Sequence, residues 1–232
     1  MNEVITGIFR HECNGRFLCE VEIDGNNELC YVASSAKLNK YINLIDKKVY
    51  LSKNKGKNTK TKYSLFAMED VKGNVILLNL NQVNLLLKDY LIEKGVEREK
   101  VKSEITLDNG LKVDLAYIGN TNIIYEAKTI LSQENKAIFP SAKTKRVKTQ
   151  LEKMMSLLAK GYQIKYCFFI LNPDITIVEI DRNNKEIYKL FYEAICLKMD
   201  IYIFRTYWNG TVFCIKEDND LKKDFLFKIK ER

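Results

Sequence analysis

The chain has 232 residues, 46% of them hydrophobic and 29% charged. That length admits one large domain or two small ones with real apolar cores. The apolar share, with ten Gly and two Pro, excludes disordered, linker-like and collagen-like chains. Lys and Arg number 38 against 30 Asp and Glu, a formal charge of +8. Such a balance raises affinity for polyanions, because each cation at a phosphate releases a condensed counterion. Only seven of the cations are Arg, so the placement of the Lys residues carries more weight than their number. The longest apolar run, residues 166–171, is far short of a bilayer span, and the opening MNEVITGIFRHE carries charges where a signal peptide needs its apolar stretch. A cytoplasmic protein without a membrane partner is expected. The six Cys form no CxxC pair and read as free thiols of a reducing compartment. The spacing of His11, Cys13, Cys19 and Cys30 matches no common zinc pattern.

Residues 16–23 and 28–33 alternate apolar and polar side chains around Asp24-Gly25-Asn26-Asn27, a hairpin signal. Residues 48–52, 63–69 and 75–79 continue the pattern, with a turn at Lys72-Gly73-Asn74. Short strands at this density predict a small OB-like β-barrel over residues 1–80. Inside it, Lys53, Lys55, Lys57, Lys60 and Lys62 crowd a stretch with no acid, either a solvated loop or one that holds a nucleic-acid backbone. Phe17, Tyr31 and Tyr63 offer stacking surfaces for bases, although core packing is the expected use of aromatics.

From residue 82 to 93, Val83, Leu86, Leu87, Tyr90 and Leu91 recur at helical spacing, and Gly95 follows as a stop. Residues 113–118 and 123–128 read as a hairpin. Residues 142–160 read as a helix, with Val147, Leu151, Met154, Met155 and Leu158 on one side and Gly161 after it. Residues 162–171 form an almost wholly apolar strand, as at the centre of a sheet covered on both faces. A helix over 184–198 and strands over 201–206 and 211–216 complete a mixed α/β domain, residues 81–232, joined near residue 80 without a flexible linker.

The chemistry is concentrated in Asp114, Glu126 and Lys128. Glu126 and Lys128 leave one face of a strand, and a hairpin of suitable register brings Asp114 to them. A three-residue loop at 119–121 pairs Asp114 with Glu126, one at 120–122 pairs it with Lys128, and a two-residue loop at 120–121 pairs it with Ala127 and destroys the cluster. With the register met, two carboxylates suit Mg²⁺ or Mn²⁺, which acidifies a bound water and neutralises phosphate charge, while Lys128 stabilises developing negative charge. These are the parts for hydrolysing a nucleic-acid backbone; the same spacing also suits a surface ion pair. A second Glu-x-Lys, Glu134 and Lys136, lacks flanking apolar alternation. Thr144 and Arg146, in the first turns of a helix, suit a phosphate or serve as a cap and an exposed cation.

Three segments are similar to the sugar fermentation stimulation protein family: Lys112-Val113-Asp114, Glu126-Ala127-Lys128-Thr129, and the 139–146 stretch FPSAKTKR. The resemblance extends over most of the chain, through GRFLCEVEIDG near the start and 79–84, NLNQVN. It implies an N-terminal OB-like barrel joined to a PD-(D/E)XK nuclease-like domain with a central mixed sheet flanked by helices, and DNA binding. By that resemblance Asp114 and Glu126 are metal ligands, Lys128 is the catalytic lysine, and Glu104 is a candidate for the extra acid of such folds. The chain departs from the family at Ser141 (Asp), Val147 (Gly) and Gln150 (His in the helix), and 34–37, SSAK, departs from Asn-Thr-Gly-Arg. Gln150 keeps hydrogen bonding but cannot titrate near neutral pH.

The expected function is therefore DNA binding, single- or double-stranded and backbone-driven, with a Mg²⁺- or Mn²⁺-dependent nuclease site. The alternatives are a catalytically silent DNA-binding regulator of sugar metabolism on the same scaffold and a protein-interaction module with incidental charge.

Overall fold

The computed structural model of the chain describes residues 4–13, 17–34, 37–54, 59–119, 121–141 and 144–231, with Thr144 described by its backbone only. Six strands build the first sheet: β1 (Val4–Glu12), β2 (Leu18–Ile23), β3 (Asn26–Val32), β4 (Lys48–Lys53), β5 (Tyr63–Glu69) and β6 (Val75–Leu77), in the order β3-β2-β1-β4-β5-β6. β3 also pairs in parallel with β5, Cys30 opposite Tyr63, so five strands close into an OB barrel and lose their free edges. Asp24 (φ 50°) and Gly25 (φ 78°) make the turn between Ile23 and Asn26, a left-handed pair whose twist matches that of the strands. The turn is two residues rather than the expected four, and Asn26 and Asn27 join β3. β1 packs so closely on β2 that a Cβ at Gly7 would lie 2.6 Å from Val21 Cγ1 and 2.7 Å from the Glu22 carbonyl oxygen.

The second half comprises α1 (Gln82–Glu93), β7 (Val101–Thr106), β8 (Lys112–Tyr117), β9 (Ile123–Ile130), β10 (Lys136–Phe139), α2 (Thr144–Ala159), β11 (Gln163–Ile170), β12 (Ile177–Ile180), α3 (Lys185–Cys196), β13 (Asp200–Trp208), β14 (Phe213–Glu217) and α4 (Asn219–Lys230). Its sheet runs β14-β13-β11-β9-β8-β7. β11 lies parallel to β9 and β13, and the outer pairs are antiparallel. Gly95 (φ 90°) and Gly161 (φ 85°) end α1 and α2 as their spacing predicts. The central strand β11 is nearly all buried, and its alternation feeds two cores. Cys167 and Phe169 join one that continues through α1 into the barrel. Tyr166 and Phe168 join another under α2, α3 and α4, with Leu151, Met154, Phe191 and Phe225. The layers are thus barrel with α1, then sheet, then three helices. No described helix is long and apolar enough to cross a membrane.

Five elements lie where the patterning predicts none. In β1 only Phe9 is fully buried, so its pairing with both β2 and β4 decides it. β7 is an edge strand buried at Val101. β10 and β12 are four residues each, too short to show a period, and Lys136 of the second Glu-x-Lys begins β10 and binds Glu179 at 2.7 Å. α4 carried a readable signal: Leu221, Phe225 and Ile229 are its buried face, and Asp218 caps it by accepting the Leu221 N–H at 2.9 Å.

Candidate active site

The β8–β9 ladder pairs Tyr117 with Ile123, Ala116 with Ile124 and Leu115 with Tyr125. The register satisfies the demand that the sequence makes: extended by one pair, it opposes Asp114 to Glu126. The ladder itself stops one step short. Asp114 Oδ2 accepts the backbone N–H of Ala127 at 2.8 Å, so a side chain replaces the strand partner. Packing slips at the same point, since Leu115 lies in the barrel-side core while both Val113 and Ala116 lie in the helix-side core. Asn84 of α1 donates to Asp114 Oδ1 at 3.4 Å. Asn84 closes the 79–84 segment of the family resemblance, but its place at the acid is not readable from spacing.

Glu126 and Lys128 are approached from the other side. In the parallel register of β9 with β11, Glu126 lies opposite Tyr166 and Lys128 opposite Phe168. Glu126 is 2% exposed. Its Oε1 accepts from Lys128 Nζ and from Gln150 Nε2, the latter at 2.9 Å. Lys128 Nζ also donates to Gln150 Oε1 at 3.1 Å. The ammonium can only donate and the carboxylate can only accept, so a neutral amide between them bonds to both at once. α2 presents Gln150 because its buried face, Val147, Leu151 and Met154, packs on the sheet beneath.

Glu126 Oε2 is buried with no hydrogen-bond partner among the described residues, a costly state for a carboxylate oxygen. Burial pushes the Glu126 carboxyl above the usual range, the Asp114 charge adds to this, and Lys128 and Gln150 oppose it. Burial, with the charges of Glu126 and Asp114, also holds the Tyr166 phenol well above its ordinary value. Two close carboxylates, one with an oxygen left over, fit a hard cation bound by oxygen. Asp114 and Glu126 are the residues that would hold it. No group of three His, Cys, Asp or Glu that could hold a metal is found among the described residues.

The other expected residues fall in several places. Arg146 and Gln150 line one cleft with Lys112, Lys145, Thr149 and Lys153. Thr144 opens α2. Glu104, at φ 52°, turns to solvent and pairs with Lys112 at 3.1 Å. Lys53, Lys60 and Lys62 stay on the barrel and do not line that cleft; Lys62 lies over the Tyr63 ring at 5.0 Å. Lys55 and Lys57 lie outside the described residues. Phe17 and Tyr31 are not core residues: they are 42% and 36% exposed and stack on each other, ring centroids 6.2 Å apart. Strand alternation explains Tyr31, since Cys30 and Val32 take the inward positions.

Family models match the chain in two blocks, the SfsA N-terminal OB domain over residues 14–78 and the sugar fermentation stimulation protein RE domain over residues 79–210. A sugar fermentation stimulation protein homolog of Natranaerobius thermophilus is 30% identical over 183 residues, 75% of each chain. Another, of Desulfitobacterium hafniense, is 32% identical over 164 residues, 69% of this chain and 70% of that one. Among solved structures, Pyrococcus furiosus SfsA in complex with Ca²⁺ shares the fold, with a TM-score of 0.74 at 19% identity over 94% of this chain and 95% of that one.

Proposed function

This chain belongs to the sugar fermentation stimulation protein family, and from that premise we propose that it binds nucleic acid and hydrolyses phosphodiester bonds at Asp114, Glu126 and Lys128 with a divalent cation. The observation that carries the reading is the buried Oε2 of Glu126, without a hydrogen-bond partner among the described residues, beside the charge of Asp114. Oxygen donors of this kind suit Mg²⁺ or Mn²⁺, and the Ca²⁺ complex of the Pyrococcus protein is in keeping with a hard ion on this fold. When bound, such an ion neutralises a phosphate oxygen and acidifies a water. The chain's own residues supply the rest. The Ala127 N–H fixes the Asp114 carboxylate, and Gln150 fixes Glu126 and Lys128. The Lys128 ammonium offsets the negative charge that builds on the phosphate as water adds to phosphorus and the bond to the departing sugar oxygen breaks. Gln150 orients its neighbours and moves no proton.

A second reading, binding without cleavage, draws on Lys128 being engaged by both Glu126 and Gln150. Cleavage of plasmid and single-stranded DNA with Mg²⁺ or Mn²⁺ separates the two, run beside Asp114→Ala and Lys128→Ala. Cutting lost in both variants supports the nuclease. Cutting unchanged in both is contamination and removes it. DNA binding without cutting by the unaltered chain leaves the second reading.

A further inference from the structure

An open cleft of about 590 Å³ lies between α2 and the turn that leads into β8. Its lining includes four cations, Lys112, Lys145, Arg146 and Lys153, with neutral Thr149 and Gln150 and no carboxylate. We infer that this cleft is the track along which one nucleic-acid strand runs to the acid pair, its phosphates held by these four side chains. The inference rests on the proposed function for the identity of the polyanion and adds the route by which it arrives.

Three observations support it. First, most of the positive charge is uncompensated. Lys145 and Arg146 are exposed and pair with no carboxylate among the described residues. Lys153 spends its ammonium on a neutral group, the Gly110 carbonyl, at 2.8 Å. Only Lys112 has an acid, Glu104, and that pair is exposed on both sides, so it is weak and open to exchange for a phosphate. Second, the spacing suits a chain of charges rather than a single anion. Positions 145, 146, 149 and 153 span eight residues of helix, about 12 Å, room for several phosphates at about 3.4 Å of rise each. Arg146 adds a planar fork that meets two phosphate oxygens at once. Third, the cleft is continuous with the site, because Gln150 lines it and also holds Glu126 and Lys128. A strand lying on the stripe therefore passes the cluster, whereas the barrel lysines Lys53, Lys60 and Lys62 lie outside the cleft.

The test is fluorescence anisotropy of a labelled single strand and of its duplex over a salt series. It uses the full chain, the triple variant Lys145→Ala/Arg146→Ala/Lys153→Gln, a barrel control Lys60→Ala/Lys62→Ala, and Glu104→Gln, each checked for folding by circular dichroism. The triple variant is expected to flatten the slope of log affinity against log salt by about three for duplex, at roughly 0.9 per lost phosphate contact, whatever the base sequence. Glu104→Gln, which frees Lys112, is expected to tighten binding several-fold. An unaltered slope in the folded triple variant, or a greater loss in the barrel control, overturns the cleft while leaving the proposed function standing. Failure of the unaltered chain to bind either strand at low salt overturns both.

Discussion

The backbone N–H of Ala127 donates to Oδ2 of Asp114 at 2.8 Å, so one of the two acids of the site also completes the sheet at the point where the β8–β9 ladder ends. The residue has this structural role beside the chemical one proposed for it, and substitutions separate the two. Asp114→Asn keeps an acceptor for Ala127, and Asp114→Ala leaves that N–H unsatisfied, at about 1–3 kcal/mol. Urea denaturation is expected to place the Asn variant within about 1 kcal/mol of the unaltered chain and the Ala variant clearly below it, with stabilisation by Mn²⁺ lost in both. Retention of the Mn²⁺ effect in Asp114→Asn would remove this residue from the proposed metal site.

Gln150 hydrogen-bonds a buried carboxylate and a nearly buried ammonium at once. Gln150→Ala removes both contacts and is expected to cost about 2–4 kcal/mol, since hydrogen bonds to charged groups contribute about 1.5–3 kcal/mol each and shared networks do not add fully. A loss under about 0.5 kcal/mol in chemical denaturation would mean that the triangle is not formed in solution.

Gly7 of β1 lies against β2 with no room for a Cβ. Gly7→Ala forces a methyl against Val21 and a backbone carbonyl, and overpacking of this kind costs about 1–3 kcal/mol. The variant should melt several degrees lower; an unchanged melting temperature would show that the barrel opens there at little expense.

Asp218 caps α4 and binds Arg205 at 2.6 Å. Burial pushes its carboxyl up, but the Leu221 N–H and then the Arg205 guanidinium outweigh it, so the net position is below the ordinary Asp value of 3.8. A depressed carboxyl contributes stability that is complete above that ordinary value and fades as pH falls through the folded one. Asp218→Asn keeps a cap acceptor but loses the charge facing Arg205, so it is expected to lower stability near pH 7 by up to about 1 kcal/mol, and the gap to the unaltered chain should shrink below about pH 4. A pH-independent gap would assign the effect to packing.

Much of the fold is legible in the chain because its cause is local. The 3.6-residue period of Val83, Leu87 and Leu91 with Gly95 behind it fixes α1, and the unbroken apolar run of β11 marks the strand covered on both faces. Asp24-Gly25 fixes one hairpin by backbone preference. β1, β10 and β12 show little such pattern, since partners far along the chain hold them, and β7, though paired with the next strand, is an edge strand with a single buried residue.

The candidate site divides in the same way. The residue types Asp114, Glu126 and Lys128, and the face that Glu126 and Lys128 share, follow from the chain itself, because side chains alternate along a strand. The loop length at 118–122 left three registers open, and long-range packing selected one. Only the tertiary structure decided that Asn84 meets Asp114 and that Gln150 joins Glu126 to Lys128. Those contacts link residues 22 to 30 positions apart, and what sets them is which faces two cores bury, a property that no short window of sequence contains.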